Sequence, residues 1–561
     1  MSAQQRQLIL CCDGTNNNIT GRANDTSVVK LCEMLSLHDD AAQTLFYDPG
    51  VGNPGELPGA TTWDQWVRRG ERIAGLAFGR GVYENMAEGY LFLMRHYQPG
   101  DQIFIFGFSR GAFTARSVAG MVNMFGILQP HMEAMLPSLL HTYFSKAGSA
   151  NAERDKIAVQ ARTLFAARQS REVPVHFVGV WDTVASVGMF PFGARFTAKP
   201  TLEGKRFVHV RQALALDELR AQFRPRLYLG DNGHHTCADG STGSLQQLWF
   251  RGSHCDVGGG YPCKTAGLAD TPMAWLVSEA VKQGLRLTCD GQLLNSEAAV
   301  LSALAKHELA THGELSIHSE LHANPLWAVT GMELRKTDRV LLDDGTSPPI
   351  RPNEHASVGA WKPQFPEGTV WAKPRPKRPV IICIGAAVLL LLLTGFLLGG
   401  QWDVRVANDA NLSFARWQLL WFTASFTVDE PLGMVQPGWA LAVDFVLIAI
   451  YAYVLSWLAV RAFAKCAGSR RAHSPTPAWL HPLGWSLTLA VFADITENVA
   501  SIVCLALLHY EHVWVATLFA AVMTVASACK WIGLGGTLTL IAIGLLPAKV
   551  EVDKLPQQRP A

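Results

Sequence analysis

The sequence predicts an α/β domain, a mostly parallel sheet with helices on both faces, followed by a C-terminal transmembrane helical bundle of about four spans. Three observations carry this reading. Up to about residue 372, short apolar runs alternate with stretches of helical spacing. Beyond it, long apolar stretches alternate with short polar ones. The chain of 561 residues is also too long for one ordinary core. Its 48 basic and 46 acidic residues leave a formal net charge of +2. A nucleic-acid binder is normally more basic, so no nucleic-acid partner is expected.

In chain order, Leu8–Cys12 reads as a strand running into the turn Asp13-Gly14-Thr15, and Thr44–Tyr47 as a second strand. From Arg72 to His96 apolar residues recur at helical spacing through Ile73, Leu76, Val82, Met86, Tyr90 and Leu93. Gln102–Phe106 is a short apolar strand, and Ala112–Phe125 is helical. Val173–Val180 is another buried strand, and Leu248–Phe250 closes a further one. Apolar strands separated by helices argue for a parallel sheet covered on both faces. The domain is read as residues 1–356. A Pro-, Lys- and Trp-rich linker follows over 357–379, with Trp361 and Trp371 suited to the lipid headgroup level.

The bundle is read as 380–548, with spans near 380–398, 439–462, 483–508 and 513–546 and a tail over 549–561. About 20 apolar helical residues cross a bilayer. The last apolar region exceeds that length and is read as one helix rather than two re-entrant segments. Lys373, Arg375, Lys377 and Arg378 precede the first span, Arg461, Lys465, Arg470 and Arg471 follow the second, and Lys549, Lys554 and Arg559 follow the last. The positive-inside rule then puts both termini and the N-terminal domain in the cytoplasm, with the chain integral to a bacterial inner membrane. Asp494, Glu497 and Asn498, three and four apart, share a helical face, and Lys530 is the natural partner for that intramembrane polar cluster. An ion pair joining two helices is favoured over an ion or proton path.

The N-terminus does not read as a secretion signal: its apolar run is short and enters a turn. The 11 cysteines are irregularly spaced, which suits buried thiols in a reducing compartment better than a disulfide framework.

Chemistry centres on Gly107-Phe108-Ser109-Arg110-Gly111. The motif follows the strand QIFIF and opens the helix AFTARSVAGMV, which is the context of a nucleophile elbow rather than of an ordinary N-cap serine. This makes the expected fold α/β-hydrolase-type, with Ser109 as nucleophile. A serine needs a base. Asp182, just past the strand VPVHFVGV, and His254, in the Gly-rich loop Arg251–Tyr261, are the candidate acid and base. His209, His234 and His235 are competing histidines, and Asp256 is an alternative acid or a loop support, as is Asp13. The backbone N–H groups of Arg110, Gly14 and Thr15 are the candidate oxyanion donors. Asp13, His254 and Asp256 are also acceptable metal ligands, but without a metalloprotease or calcium-loop pattern no metal and no cofactor is expected.

Cys12-Asp13-Gly14-Thr15, Gly107–Phe113, Val180-Trp181-Asp182-Thr183 and Gly252–Gly260 resemble, in order, the motifs of the DUF2235 hydrolase domain. So do Gln212–Glu218 and Phe223-Arg224-Pro225. That domain is the catalytic part of type VI secretion phospholipase effectors of the first lipase family. The resemblance covers roughly residues 5 to 340. It implies an α/β-hydrolase fold, a Ser109–Asp182–His254 triad and phospholipase A-type ester cleavage, with membrane lipid as substrate. Three functions follow as expectations. The first is a membrane-anchored serine hydrolase. The second is a secreted lipase toxin with a spike or immunity protein as partner. The third is an inactive membrane scaffold.

Overall fold

The computed structural model describes residues 5–14, 19–22, 24–38, 40–50, 80–144, 151–184, 201–230, 232–262, 266–310, 317–333, 335, 352–360, 436–467, 480–509 and 513–545. The chain forms two compact units. The first comprises Met1–Ser319 and Leu334–Thr369. The second comprises Glu320–Glu333 and Val370–Ala561.

The first unit is built on a mixed, mostly parallel sheet. Its main strands are β1 (Gln7–Cys12), β2 (Gln43–Asp48), β3 (Gln102–Phe108), β4 (Val175–Trp181), β5 (Phe207–Ala215), β6 (Gly233–Thr236) and β7 (Thr242–Phe250). The order across the sheet is β2-β1-β3-β4-β5-β7, ending on a short strand at Asn353–Glu354; β6 pairs antiparallel with β7. Residues alternate between faces along each strand. Leu8, Leu10, Ile103, Ile105, Val178 and Val180 point into one core. Helices Arg80–His96, Ser109–Phe125 and Leu136–Phe144 cover it. Ile9, Cys11, Phe104, Phe106, Phe177 and Trp181 face the opposite core, under helices Ser27–His38, Asp270–Lys282 and Glu297–Lys306.

Two strands are more polar than apolar patterning anticipates. In β5, Arg211 is buried because its Nε donates to Glu279 (2.9 Å), and Gln212 is buried because its side chain bonds Thr183 and the Arg226 carbonyl. In β7, Gln247 is buried against the backbone of Tyr228. A satisfied polar group tolerates burial, and β7 runs from Thr242 to the expected end at Phe250.

All the main strands except β6 run the same way, so their carboxyl ends share one edge. The order reverses between β1 and β3, the position where such sheets open a ligand crevice. β3 pairs Phe108 with Trp181 of β4, and β5 pairs Ala215 with Phe250 of β7. The residues following each of these strands therefore emerge together.

The second unit contains the long helices Gln436–Ala467, Leu480–His509 and Val513–Leu545. The last is continuous over 33 residues, about 50 Å at 1.5 Å per residue. Gly533 lets it approach the Leu480–His509 helix: a Cβ there would lie 2.5 Å from the Ala490 nitrogen. Segment 320–333 belongs with these helices, not with the sheet as expected from sequence. Thr488 Oγ1 donates to the Val329 carbonyl (2.5 Å), and Gly484 leaves room for Met332. Among the described residues one segment, Phe445–Ala462, is long and apolar enough to cross a membrane by itself. The four-span arrangement therefore does not stand as a finding, and the expected first span, 380–398, lies outside the described residues.

Candidate active site

β3 ends at Phe108, and Ser109 turns the chain directly into the helix Ser109–Phe125. Ser109 has φ +59°, a left-handed conformation that costs a non-glycine residue about 1–3 kcal/mol. Glycine is required on both sides. A Cβ on Gly107 would lie 2.6 Å from the Gly111 carbonyl oxygen. A Cβ on Gly111 would run into the carbonyl oxygens of Cys12 and Asp13. The elbow is thus packed against the end of β1. The amides of the first helical turn, Arg110 included, have no intrahelical acceptor and are available to an anion.

β4 delivers Asp182 to the same edge, also at positive φ (+40°). Ser109 and Asp182 are two of the five such non-glycine residues among those described. Strain held at two adjacent strand ends is a mark of a functional site. Asp182 Oδ2 accepts from His254 Nδ1 at 2.5 Å, and Oδ1 accepts from the Ala215 amide at 3.0 Å. All three catalytic candidates are buried, with Ser109 7% exposed, Asp182 0% and His254 2%. The imidazole ring lies tilted by 31° against that of Phe108, next to Ser109, with centroids 4.7 Å apart.

Because Nδ1 serves the carboxylate as donor, Nε2 is left as the basic nitrogen. It is buried and makes no hydrogen bond to the described residues, Ser109 included. Catalytic bonds of this kind are often long before substrate binds. Burial pushes the His254 imidazole below its ordinary value, against the upward pull of Asp182. Burial alone would raise the Asp182 carboxyl, but Arg335 and His254 hold it well below the usual carboxylate range.

Two features of the site were not anticipated from sequence. Arg335 lies just over 80 residues past His254 in the chain, yet its guanidinium grips both oxygens of Asp182. Glu218, just past β5, accepts from the backbone N–H of His254 (3.2 Å) while paired with Arg220. Arg220 holds the Glu218 carboxyl down against the upward effect of burial. No motif announced Arg335. Glu218 did lie within a motif of the resemblance, without a role.

The other sequence candidates separate clearly. Asp256 does not reach His254 as an acid. It forms a capping box with Ser253 at the start of the short helix His254–Gly258 and binds His318, with Nδ1 at 2.6 Å. Asp13 is a loop support, accepting from Thr26 (2.7 Å) and Tyr47 (3.0 Å). The Gly14 N–H is spent on Asp13 Oδ1 at 2.6 Å, so it is not a free oxyanion donor here. Thr15 lies outside the described residues. His209 and His235 bond to Ser244 and to the Phe207 carbonyl and take no part in the site. Among the described residues no group of three or more His, Cys, Asp or Glu side chains is arranged to hold a metal.

In the helical unit, Lys530 Nζ lies 2.6 Å from Asp494 and 3.5 Å from Glu497, joining the second and third long helices. Tyr451 of the first long helix, unforeseen from sequence, donates to Asp494 at 2.6 Å. Asn498 is buried with them.

A parallel α/β sheet with a strained serine elbow and a carboxylate-held imidazole on its carboxyl edge is the architecture of a hydrolase. Residues 6–279 match the family model described as "T6SS, Phospholipase effector Tle1-like, catalytic domain". The match takes in the elbow, Asp182 and His254. An uncharacterized protein of Saccharomyces cerevisiae, YEL023C, is 33% identical over 236 residues, 40% of this chain. The match spans about a third of that relative's length (33%). A crystal structure of an uncharacterized protein from Pseudomonas aeruginosa aligns over 88% of this chain and 67% of its own, at 13% identity and a TM-score of 0.30.

Proposed function

We propose that the chain is a membrane-anchored serine hydrolase that cleaves a carboxylic ester of phospholipid through Ser109, His254 and Asp182. The observation that carries this reading is the 2.5 Å bond from His254 Nδ1 to Asp182, which leaves Nε2 unbonded beside the elbow. His254 Nε2 takes the Ser109 proton as Oγ adds to the ester carbonyl carbon. The tetrahedral oxyanion is held by first-turn amides such as that of Arg110. Collapse expels the lysolipid alkoxide, which receives the proton from His254. Water, deprotonated by the same nitrogen, then cleaves the acyl-enzyme and releases the fatty acid. The family's phospholipase description supports lipid as the ester's source.

Anchoring is supported by the long helices. They bury Asp494, Glu497 and Asn498 while exposing Val446, Trp485, Leu489, Val525, Ile532 and Leu538. Apolar outside with charge inside suits lipid as solvent. The flanking Lys and Arg residues favour four spans with a cytoplasmic hydrolase domain. Tethering then keeps the site at the lipid surface without added affinity. The test is fatty-acid release from phospholipid vesicles by the full chain in membranes. Wild type releases it and Ser109→Ala does not; equal rates refute the proposal. A second reading, a lipase toxin delivered to other cells, is favoured by the effector description of the family. Growth arrest of a recipient cell that depends on Ser109 tests it.

A further inference from the structure

Arg335 stands outside the residues that the triad reading requires, yet its two terminal nitrogens make four hydrogen bonds at the site. Its Nη1 donates to Asp182 Oδ1 and to the Ala215 carbonyl (2.7 Å). Its Nη2 donates to Asp182 Oδ2 (2.8 Å) and to the Phe223 carbonyl (2.6 Å). A buried guanidinium thereby ties the end of β4 to the end of β5 and to Phe223, whose ring packs edge-on to His254 at 5.0 Å. A carboxylate has about four lone-pair sites. With Ala215 N–H and His254 Nδ1 the two Asp182 oxygens are fully subscribed.

We propose that Arg335 is a positioning residue for the hydrolytic reaction, fixing the plane of the Asp182 carboxylate and offsetting its charge so that His254 stays a neutral base. The proposal rests on the serine-hydrolase reading above. An orienting acid with no counter-cation strengthens imidazolium at the expense of the free base. A forked guanidinium prevents this in two separable ways. Its geometry dictates which oxygen faces Nδ1. Its charge weakens the pull of Asp182 on a proton at His254. Among the described residues the other charged groups around the imidazole are Glu218 and Arg220 past β5, which pair with each other, and Asp256 on its own loop, which binds His318. None of these touches Asp182 in the described structure.

The test is the pH dependence of kcat/KM for ester hydrolysis by wild type, Arg335→Lys and Arg335→Gln full-length protein. Active sites are counted by fluorophosphonate titration. Arg335→Gln is expected to move the acid limb up by about one pH unit and to lower kcat per active site by about 10²-fold. Arg335→Lys keeps the charge without the fork, so its kcat falls while its acid limb stays near that of wild type. If Arg335→Gln loses active sites but those remaining keep the wild-type limb and kcat, Arg335 is structural and the proposal is overturned. If Arg335→Gln does not fold, a wild-type kcat for folded Arg335→Lys overturns it equally. Retained hydrolysis by Ser109→Ala would instead remove the serine-hydrolase reading itself.

Discussion

In the α/β unit Asp182 accepts from Arg335 and from an imidazole that keeps one nitrogen unbonded; in the helical unit Asp494 accepts from Tyr451 and pairs with Lys530, which also reaches Glu497. Both clusters bury carboxylates beside a cation. The difference lies in what the carboxylate holds. Asp182 orients a titratable base at the mouth of a strained turn. Asp494 holds groups that bind helices to one another. Buried charge beside a cation therefore does not distinguish the two clusters; an imidazole held by a carboxylate next to a strained serine turn does.

Substitutions of the two aspartates separate these roles most sharply. Asp182→Asn is expected to lower kcat by about 10⁴-fold, because the amide holds the wrong imidazole tautomer. Asp494→Asn is expected to leave kcat per folded molecule unchanged. Initial rates on a soluble ester, normalised to folded protein, compare them. The next effect belongs to the helical unit. Lys530→Met strands buried carboxylates and is expected to cost about 3–5 kcal/mol. Thermal unfolding in detergent measures the loss, and adding Asp494→Asn with Glu497→Gln is expected to recover most of it. Absence of recovery would mean that Lys530 acts through packing alone.

Smaller effects refine the description of the hydrolytic edge. Gly111→Ala drives a methyl into the Cys12 and Asp13 carbonyls, and a cost of about 1–3 kcal/mol together with lost activity is expected. Ser253→Ala removes one arm of the capping box beside His254 and is expected to cost about 1 kcal/mol. Denaturant midpoints read both. The pH effect is the gentlest. His254 is held below its ordinary value, so the unfolded chain binds more protons just below about pH 6.5. Stability then falls as pH is lowered through that window. Asp182 adds the same sign lower down, its stabilisation being lost as pH falls through the ordinary carboxylate range. A melting temperature that rises on acidification between pH 7 and 5 in wild type, relative to His254→Asn, would contradict this.

The elbow was legible in sequence because its demands are local. A strand, two glycines and a helix must meet at Ser109, and all of that fits within a few residues. Asp182 and His254 were legible because parallel strands deliver their following residues to one edge. Arg335 was not, since its link to Asp182 is made only by the folded chain. Strand β5 was hidden by Arg211 and Gln212, which look exposed until Glu279, Thr183 and Arg226 are brought to them. The Gly14 donor failed for a local reason: Asp13 reaches its N–H first. In the helical unit the spacing of Asp494 and Glu497 pointed to Lys530, but Tyr451 required the packing of a third helix. Segment 320–333 carries no composition signal that would have assigned it to that unit.

The most direct test of the central claim is covalent. Full-length protein is incubated with a fluorophosphonate near neutral pH and the modified peptide is identified by mass spectrometry. One adduct per chain on Ser109, formed far more slowly in folded His254→Ala, is the expected result. A folded wild-type protein that stays unmodified, or labels as fast without the imidazole, would contradict the account.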